Sequence, residues 1–305
     1  MTVLLAAAWS EVAQQVVSGL ATGSIYASLA LGIVIIYRST GVINFAQGEM
    51  ATFSTFIAWW LIEDPNGPDW PYWAAFVVVL VISFAGGVLL ERVLIRPVEQ
   101  APVLTIVMVT LGLAIALNGL IGWIWGAETR SFPGAFSTRP IHVGSVTFSI
   151  QDAGFIAVML AAVLCLYLFF RFTKAGLGLR AAAAGGEASR LLGVRVGWML
   201  ALGWGIATML GALSGMMTAP TAFLDPNMMQ GVLLYAFAAA VLGGLDSPIG
   251  AVVGGLALGV LLNLLGTYVD FFGGQMRLVG GLLVILGVLL IRPQGLFGRV
   301  AVRRV

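Results

Sequence analysis

Charged residues are scarce in this chain of 305 residues, because only 9% are Asp, Glu, Lys or Arg. Hydrophobic residues make up 60% of the chain, and the mean hydropathy is +1.03. A water-soluble domain carries about 25% charged residues, and its interior is too small to hide so much apolar surface. The composition therefore excludes a soluble protein and predicts a polytopic membrane protein, whose spans need about 20 apolar residues each.

The residue types that build catalytic and metal centres are nearly absent. The chain has one cysteine, Cys165, and one histidine, His142. A disulfide framework, a Cys-based metal site and a Ser-His or Cys-His pair cannot be assembled from these two residues. The only lysine, Lys174, follows Thr173 rather than a glycine, so the chain has no Walker A loop. We therefore predict that the chain is not an enzyme, and that any ATP-driven work requires a partner protein.

The apolar runs are continuous and do not alternate with a period of two, which favours membrane helices over a β-barrel. We predict an all-α, polytopic helical fold with about eight or nine transmembrane helices. The predicted spans are 12–37, 43–62, 72–94, 102–125, 152–172, 197–220, 229–244, 249–269 and 276–292. The run 229–244 is short and is typical of a broken or re-entrant helix. The first run has no basic segment before it, so we do not expect a cleavable signal peptide.

Arginine and lysine residues indicate the orientation of these spans. They cluster at 92–96, 171–195 and 292–304, and the predicted spans place these three regions on the same side of the membrane. Because positive residues stay in the cytoplasm, we expect the N-terminus outside and the C-terminus inside. The chain is then a single transmembrane domain, residues 1–305, with a periplasmic loop at 126–151 and a cytoplasmic loop at 173–196.

These two loops differ in kind. Residues 126–151 are rich in turn-forming and β-type residues, which predicts a small hairpin or cap. Residues 173–196 have an Ala-rich stretch that is typical of a helix. The pair Gly185-Gly186 interrupts this stretch, so the segment forms either one helix or two short helices, and the sequence does not decide between them.

Polar residues at the start of the second span are the first candidates for function. Asn44, Gln47 and Glu49 lie within six residues of each other, and Gly48 allows close approach of a neighbouring helix or a substrate. On a helix, at about 100° per residue, Asn44 and Gln47 fall on adjacent faces. The segment is either the cytoplasmic end of a helix, with its polar groups in the membrane interface, or the polar lining of a passage or gate. Polar groups in spans are costly and are often functional, which favours the second interpretation.

Other polar and small residues in the spans are typical of helix packing. Asn118 and Asn263 are isolated amides, which we interpret as hydrogen-bonding between helices. Glycines recur at a spacing of four, which allows helix backbones to approach closely. These pairs are Gly19 and Gly23, Gly211 and Gly215, Gly250 and Gly254, and Gly255 and Gly259.

The cytoplasmic loop has a pattern typical of a docking helix. Glu187 is followed by the small residues Ala188 and Ser189, and Gly193 comes six positions after the acid. A short helix with small residues on one face, followed by a glycine turn, fits a groove in another protein. A plain amphipathic surface helix is the alternative. The pattern resembles the coupling loop of ABC importer permeases.

The chain as a whole resembles the branched-chain amino acid ABC transporter permeases of the LivH/LivM type, and it is closer to LivH. The motifs that carry the resemblance follow each other along nearly the whole chain. They are GLATGSIYA (19–27), GVINFAQGEM (41–50), ER and RP within 91–97, GLRAAA (178–183), AAVLGGL (239–245), GAVVGG (250–255) and RPQGLFG (292–298).

This resemblance implies a substrate-translocating permease subunit of the bacterial inner membrane. Its implied partners are a sister LivM-like permease subunit, two cytoplasmic ATPase subunits and a periplasmic binding protein. The chain itself needs no cofactor, since ATP and magnesium bind to the ATPase partners. The resemblance assigns coupling to the ATPase to the segment around Arg180, Glu187, Ala188 and Gly193. It also makes Asn44, Gln47, Gly48 and Glu49 candidates for the substrate pathway.

The chain departs from the family pattern at Tyr235, where relatives often carry a lysine before the AAVLGG stretch. A lysine inside the membrane is costly, which points to a function such as holding a substrate carboxylate. Tyrosine keeps a polar tip but no charge.

The leading substrate class is branched-chain or other hydrophobic amino acids, and urea, short amides and aromatic acids are the alternative. An ion-coupled secondary transporter is a further alternative, for which Glu49 is the one carboxylate near the hydrocarbon.

Overall fold

The computed structural model describes residues 2–143, 146–269, 276–292 and 294–298. Helices form most of this part of the chain, since in lipid a helix pairs all backbone polar groups within its own segment. They are α1 (Thr2–Thr40), α2 (Gln47–Ile62), α3 (Tyr72–Leu90), α4 (Val103–Trp125), α5 (Ile150–Phe172), α6 (Lys174–Ala184), α7 (Gly186–Leu191), α8 (Val196–Ala222), α9 (Met229–Gly243), α10 (Pro248–Tyr268) and α11 (Arg277–Ile291). Helix α3 continues as a π turn and a 3-10 turn to Val98.

Each predicted span coincides with one helix of the described residues, which confirms a mostly helical membrane protein. Within the described residues, six helical segments are long and apolar enough to cross a membrane by themselves. They are Ser10–Thr40, Tyr72–Val98, Val103–Trp125, Ile150–Phe172, Val196–Ala222 and Pro248–Tyr268. Helices α2, α9 and α11 have only 16, 15 and 15 residues. The number of crossings and the sidedness of the termini stay predictions.

The chain folds as two compact units. The first contains Met1–Ala30, Gly134–Met159 and Leu234–Val305, and the second contains Leu31–Pro133 and Leu160–Leu233. Helices α1, α5 and α9 therefore contain residues of both units. That the whole chain is one transmembrane domain stays a prediction, and the two units are described separately below.

In the first unit, α1 and α10 pack backbone against backbone through glycines. A Cβ atom at Gly259 would lie 2.3 Å from the Cα of Gly23, and one at Gly255 would lie 2.4 Å from the Cα of Ala27. Helix α10 also packs against α9, where a Cβ at Gly254 would lie 2.3 Å from the carbonyl oxygen of Ala239. Only glycine allows such distances, so these predicted small-residue contacts are confirmed.

In the second unit, α8 is the central helix and packs against α2, α3 and α6. Two of its glycines, Gly211 and Gly215, face α2, and a Cβ at Gly215 would lie 2.9 Å from the carbonyl oxygen of Ala51. Buried side chains of α8 and of the segments around it form a hydrophobic cluster. They are Ile36, Ala46, Met50, Ile95, Leu113, Trp204 and Ala207.

Both predicted loops have regular structure. Strands β1 (Pro140–Val143) and β2 (Val146–Ser149) form an antiparallel hairpin in which His142 pairs with Thr147. This confirms the hairpin expected within 126–151. Residues 174–191 form the two helices α6 and α7, which meet at Gly185, so the two-helix alternative is the one observed.

Candidate functional site

Helix α2 begins inside the second unit, beside the middle of α8. The Gln47 side chain donates a hydrogen bond of 2.7 Å to the carbonyl oxygen of Ala207. Ala207 lies eleven residues after the start of α8, which is about 16 Å along the helix axis. The 16 residues of α2 are about 24 Å long, which is less than the thickness of the hydrocarbon core. Helix α2 is thus a short helix whose first turn lies deep in the unit.

Asn44 holds the chain in place just before this helix. Its side-chain oxygen accepts a hydrogen bond of 3.0 Å from the amide of Ala46, and its nitrogen donates to the Gln47 side chain at 3.3 Å. Both Asn44 and Gln47 are fully buried. Asn44 therefore precedes the helix, and the prediction that Asn44 and Gln47 share adjacent helix faces was wrong. The reason is that the Asn44 side chain satisfies backbone donors in a turn, in competition with helical geometry.

Gly48 contacts the beginning of α9. A Cβ atom at this position would lie 3.2 Å from the nearest carbon of the Leu233 side chain. An added Cβ would therefore require the Leu233 side chain to shift slightly. The role of Gly48 in this structure is close packing between these two short helices.

Glu49 lies on another side of α2, in a cluster of amide groups. The Asn118 side-chain nitrogen from α4 lies 3.3 Å from the Glu49 carboxylate. The same nitrogen lies 3.1 Å from the carbonyl oxygen of Pro226 and 3.1 Å from the side-chain oxygen of Asn227. Gln230 donates a hydrogen bond of 2.8 Å to the side-chain oxygen of Asn227. We call Glu49, Asn118, Pro226, Asn227 and Gln230 the amide cluster.

Tyr235 belongs to the first unit. Its ring lies 5.0 Å from the ring of Tyr26, measured between centroids, and the two planes are tilted by 35°. Its ring also lies beside Gly281 of α11, where a Cβ would be 3.4 Å away. Tyr235 therefore forms an aromatic pair that joins α9 to α1.

The segment from α6 to α7 is anchored to the start of α8. Leu179 and Ala182 are buried, and Ala182 packs with Val196 and Leu200. Helix α7 folds back onto α6 because the Ser189 hydroxyl donates a hydrogen bond of 2.8 Å to the carbonyl oxygen of Ala181. A displacement of this segment would consequently be transmitted to α8 through these packed side chains.

Helix α7 presents an exposed surface at the far end of this segment. Arg180, Glu187, Ala188 and Gly193 are all exposed. Leu191 and Leu192 are 89% and 84% exposed, which is unusual for two adjacent leucines outside a lipid-facing helix. Gly193 ends the helix with a φ of +81°, the left-handed conformation that glycine adopts at helix ends. The surface therefore combines an acidic group, small residues and an apolar tip.

Comparison with known proteins identifies the family. The family described as "Branched-chain amino acid transport system / permease component" matches residues 15–291. The chain belongs to this family. It is 31% identical over 302 residues to the high-affinity branched-chain amino acid transport system permease protein LivH of Salmonella typhimurium, covering 96% of this chain and 97% of LivH. The corresponding protein BraD of Pseudomonas aeruginosa is also 31% identical, with the same coverage.

A more distant relative is the probable branched-chain amino acid transport permease protein LivH of Methanocaldococcus jannaschii. It is 27% identical over 286 residues, covering 88% of this chain and 87% of that protein. With its membrane helices, the chain is thus a multi-pass permease of the inner membrane, the translocating component of a transport system and not a catalytic enzyme.

The structure of the permease divides the predicted pathway residues among four different sets of contacts. Asn44 and Gln47 are joined to each other and to α8. Glu49 belongs to the amide cluster on another side of α2, and Gly48 packs against Leu233. Tyr235 is part of the other unit. The predicted coupling residues, in contrast, all lie on or beside one exposed segment, α6 to α7.

Sequence reasoning missed most of the amide cluster. Asn118 was interpreted as hydrogen-bonding between helices, which the structure confirms, but its partner Glu49 was not identified. Asn227 follows Asp225-Pro226, a turn signal between two predicted spans, and Gln230 lies in the first turn of the short predicted span 229–244. The shortness of that span was the signal that could have drawn attention to these two amides.

Proposed function

We propose that the chain forms one half of the membrane pathway of an ATP-driven importer of branched-chain or other hydrophobic amino acids. The observation that carries this proposal is the 31% identity to LivH over 96% of the chain. The relatives are named as branched-chain amino acid permeases, and the match includes both the α2 region and the α6–α7 segment. In this proposal partner ATPase subunits supply the energy, since the sequence has no Walker A motif.

In this proposal the pathway residues have different roles. Asn44 and Gln47 hold the start of α2 against α8, and Gly48 keeps α2 close to α9. Glu49 faces the passage, and Tyr235 stands where relatives often have a lysine. Short helices that begin within the membrane are typical of transporter substrate sites. Opening and closing of the passage would then move α2 together with α8.

The α6–α7 segment is the proposed contact with an ATPase subunit. Glu187, Ala188 and the apolar tip Leu191-Leu192 are exposed and have the chemistry of a helix that docks in a groove. Arg180 flanks this surface, and Gly193 provides its final turn. Two ATPase subunits would bind ATP and magnesium, a sister permease would supply the other half of the pathway, and a periplasmic binding protein would deliver the substrate.

The experiment that tests this function is substrate uptake by the complete complex in proteoliposomes with its cognate binding protein. The substrates are labelled leucine, isoleucine, valine, urea and a short amide. We expect ATP-dependent uptake of the three amino acids. Uptake of urea or the amide alone would contradict the amino-acid assignment.

A second substrate class is favoured by one observation, the aromatic pair of Tyr235 and Tyr26 at the family's lysine position. If that lysine holds a carboxylate in relatives, its loss fits neutral substrates such as urea or short amides, or aromatic acids. The same uptake panel, with an aromatic acid added, separates these substrates from branched-chain amino acids.

A further inference from the structure

A salt bridge joins α7 to the connection between α3 and α4. A guanidinium nitrogen of Arg190 lies 3.3 Å from a carboxylate oxygen of Glu99, and this is the one ion pair in the part of the chain that the structure describes. Arg190 lies in the last turn of α7, and Glu99 directly follows the 3-10 turn that ends at Val98. The proposed ATPase contact is thus tied to a residue 91 positions earlier in the chain.

The stretch Glu91–Glu99, which we call the α3 extension, also contacts the first turn of α8. The guanidinium carbon of Arg92 lies 3.5 Å from the centroid of the Trp198 ring, which is a cation–π contact. The Arg96 guanidinium lies beside Gly197, where an added Cβ would be 3.4 Å from the nearest nitrogen. The α3 extension therefore meets both α7 and the start of α8.

The α3 extension reaches from this surface to the core beside α2. Its residues Glu91–Ile95 form a π turn, a rare element that is frequent at functional sites. Ile95 is 2% exposed and belongs to the same buried cluster as Ala46 and Met50. Ala46 directly precedes α2, and Met50 lies in its first turn. A displacement of the α3 extension would consequently be transmitted to the start of α2 through this cluster.

We propose that Glu99 and Arg190 are positioning residues for coupling, which join α7 to the α3 extension and so give the ATPase contact a second connection to the spans. The first connection is the packing of α6 on α8, and the second reaches α2 from the side of α3. An exposed ion pair, here with side chains 52% and 30% exposed, contributes little to folding stability. Its disruption therefore changes coupling while the fold is kept. This inference rests on the proposed function and adds two residues to the predicted coupling set.

The test measures leucine uptake and ATP hydrolysis by the complete complex in proteoliposomes with its binding protein. The variants are E99R, R190E and the charge swap E99R/R190E, which restores opposite charges across the contact. The matched control is Q100R, because Gln100 is the exposed neighbour of Glu99 and the variant adds the same arginine without removing either partner. Both rates are expressed per assembled complex, measured by size-exclusion chromatography.

The readout is the number of leucine molecules imported per ATP hydrolysed, which a merely structural role would not change in assembled complexes. We expect this ratio to fall at least about threefold below Q100R in E99R and in R190E, because charge reversal replaces attraction by repulsion. The swap should recover to within about twofold of Q100R.

A smaller fall in E99R would overturn the proposal. A swap with a ratio as low as that of E99R would also contradict it, since the single effects would then come from contacts with other partners. If the unsubstituted complex shows no ATP-dependent leucine uptake, the proposed function itself fails, which is distinct from either result.

Discussion

Substitution of Gly255 by alanine tests how tightly α1 and α10 pack in the first unit. The new Cβ atom would lie 2.4 Å from the Cα and 2.5 Å from the amide nitrogen of Ala27. Non-bonded carbon atoms prefer about 3.5–4.0 Å, so the two backbones must separate by about 1 Å. Overpacking of this kind costs about 1–3 kcal/mol. Alanine also favours the helix by about 0.8–1 kcal/mol relative to glycine, which offsets part of the loss.

The matched control is Gly119→Ala in α4, where no atom lies within 4 Å of the added Cβ. This variant should show only the helix-propensity gain, so the two variants should differ by about 1–3 kcal/mol in the free energy of unfolding. The assay is equilibrium unfolding of the detergent-solubilised protein in SDS, followed by circular dichroism. Equal stability of G255A and G119A would refute the close packing of α1 on α10.

Three further substitutions test other contacts. Gln47→Leu leaves the carbonyl oxygen of Ala207 without its buried donor. The free energy of unfolding should fall by about 1–3 kcal/mol in the same SDS assay, and an unchanged unfolding midpoint would contradict this. Arg130→Lys removes a guanidinium group that lies 4.2 Å from the centroid of the Trp59 ring. The free energy of unfolding should fall by about 1 kcal/mol, which lowers the melting temperature. An unchanged melting temperature would show that this contact does not stabilise the protein. Glu187→Lys should abolish transport-coupled ATP hydrolysis with normal membrane insertion; unchanged transport would refute the coupling role of α7.

The sequence predicted the helices well because their positions depend on local composition. Each apolar run coincides with a helix of the described residues, and the glycine pairs mark where helix backbones meet. The start of α2 differs from the predicted 43 because Asn44 caps a turn with its side chain. The first residue of α2 therefore depends on the hydrogen bonds of Asn44 with Ala46 and Gln47, and a hydropathy pattern does not contain this information.

The amide cluster could not be predicted from sequence patterns. Glu49 and Asn118 are 69 positions apart, and Asn118 and Asn227 are 109 positions apart. Their contact depends on how α2, α4 and the start of α9 pack, and no spacing rule applies over such distances. The exposed α6–α7 segment was easier to predict, because its acid, small residues and glycine are consecutive in the chain.

We propose above that ATP hydrolysis by partner subunits drives amino-acid import through this permease. The measurement that tests this proposal is leucine uptake by the reconstituted complex with its binding protein, with ionophores present to abolish ion gradients. We expect uptake to continue with ATP on the cytoplasmic side and to stop when ATP is replaced by a non-hydrolysable analogue. Leucine uptake that follows an imposed ion gradient and is independent of ATP would refute the proposal.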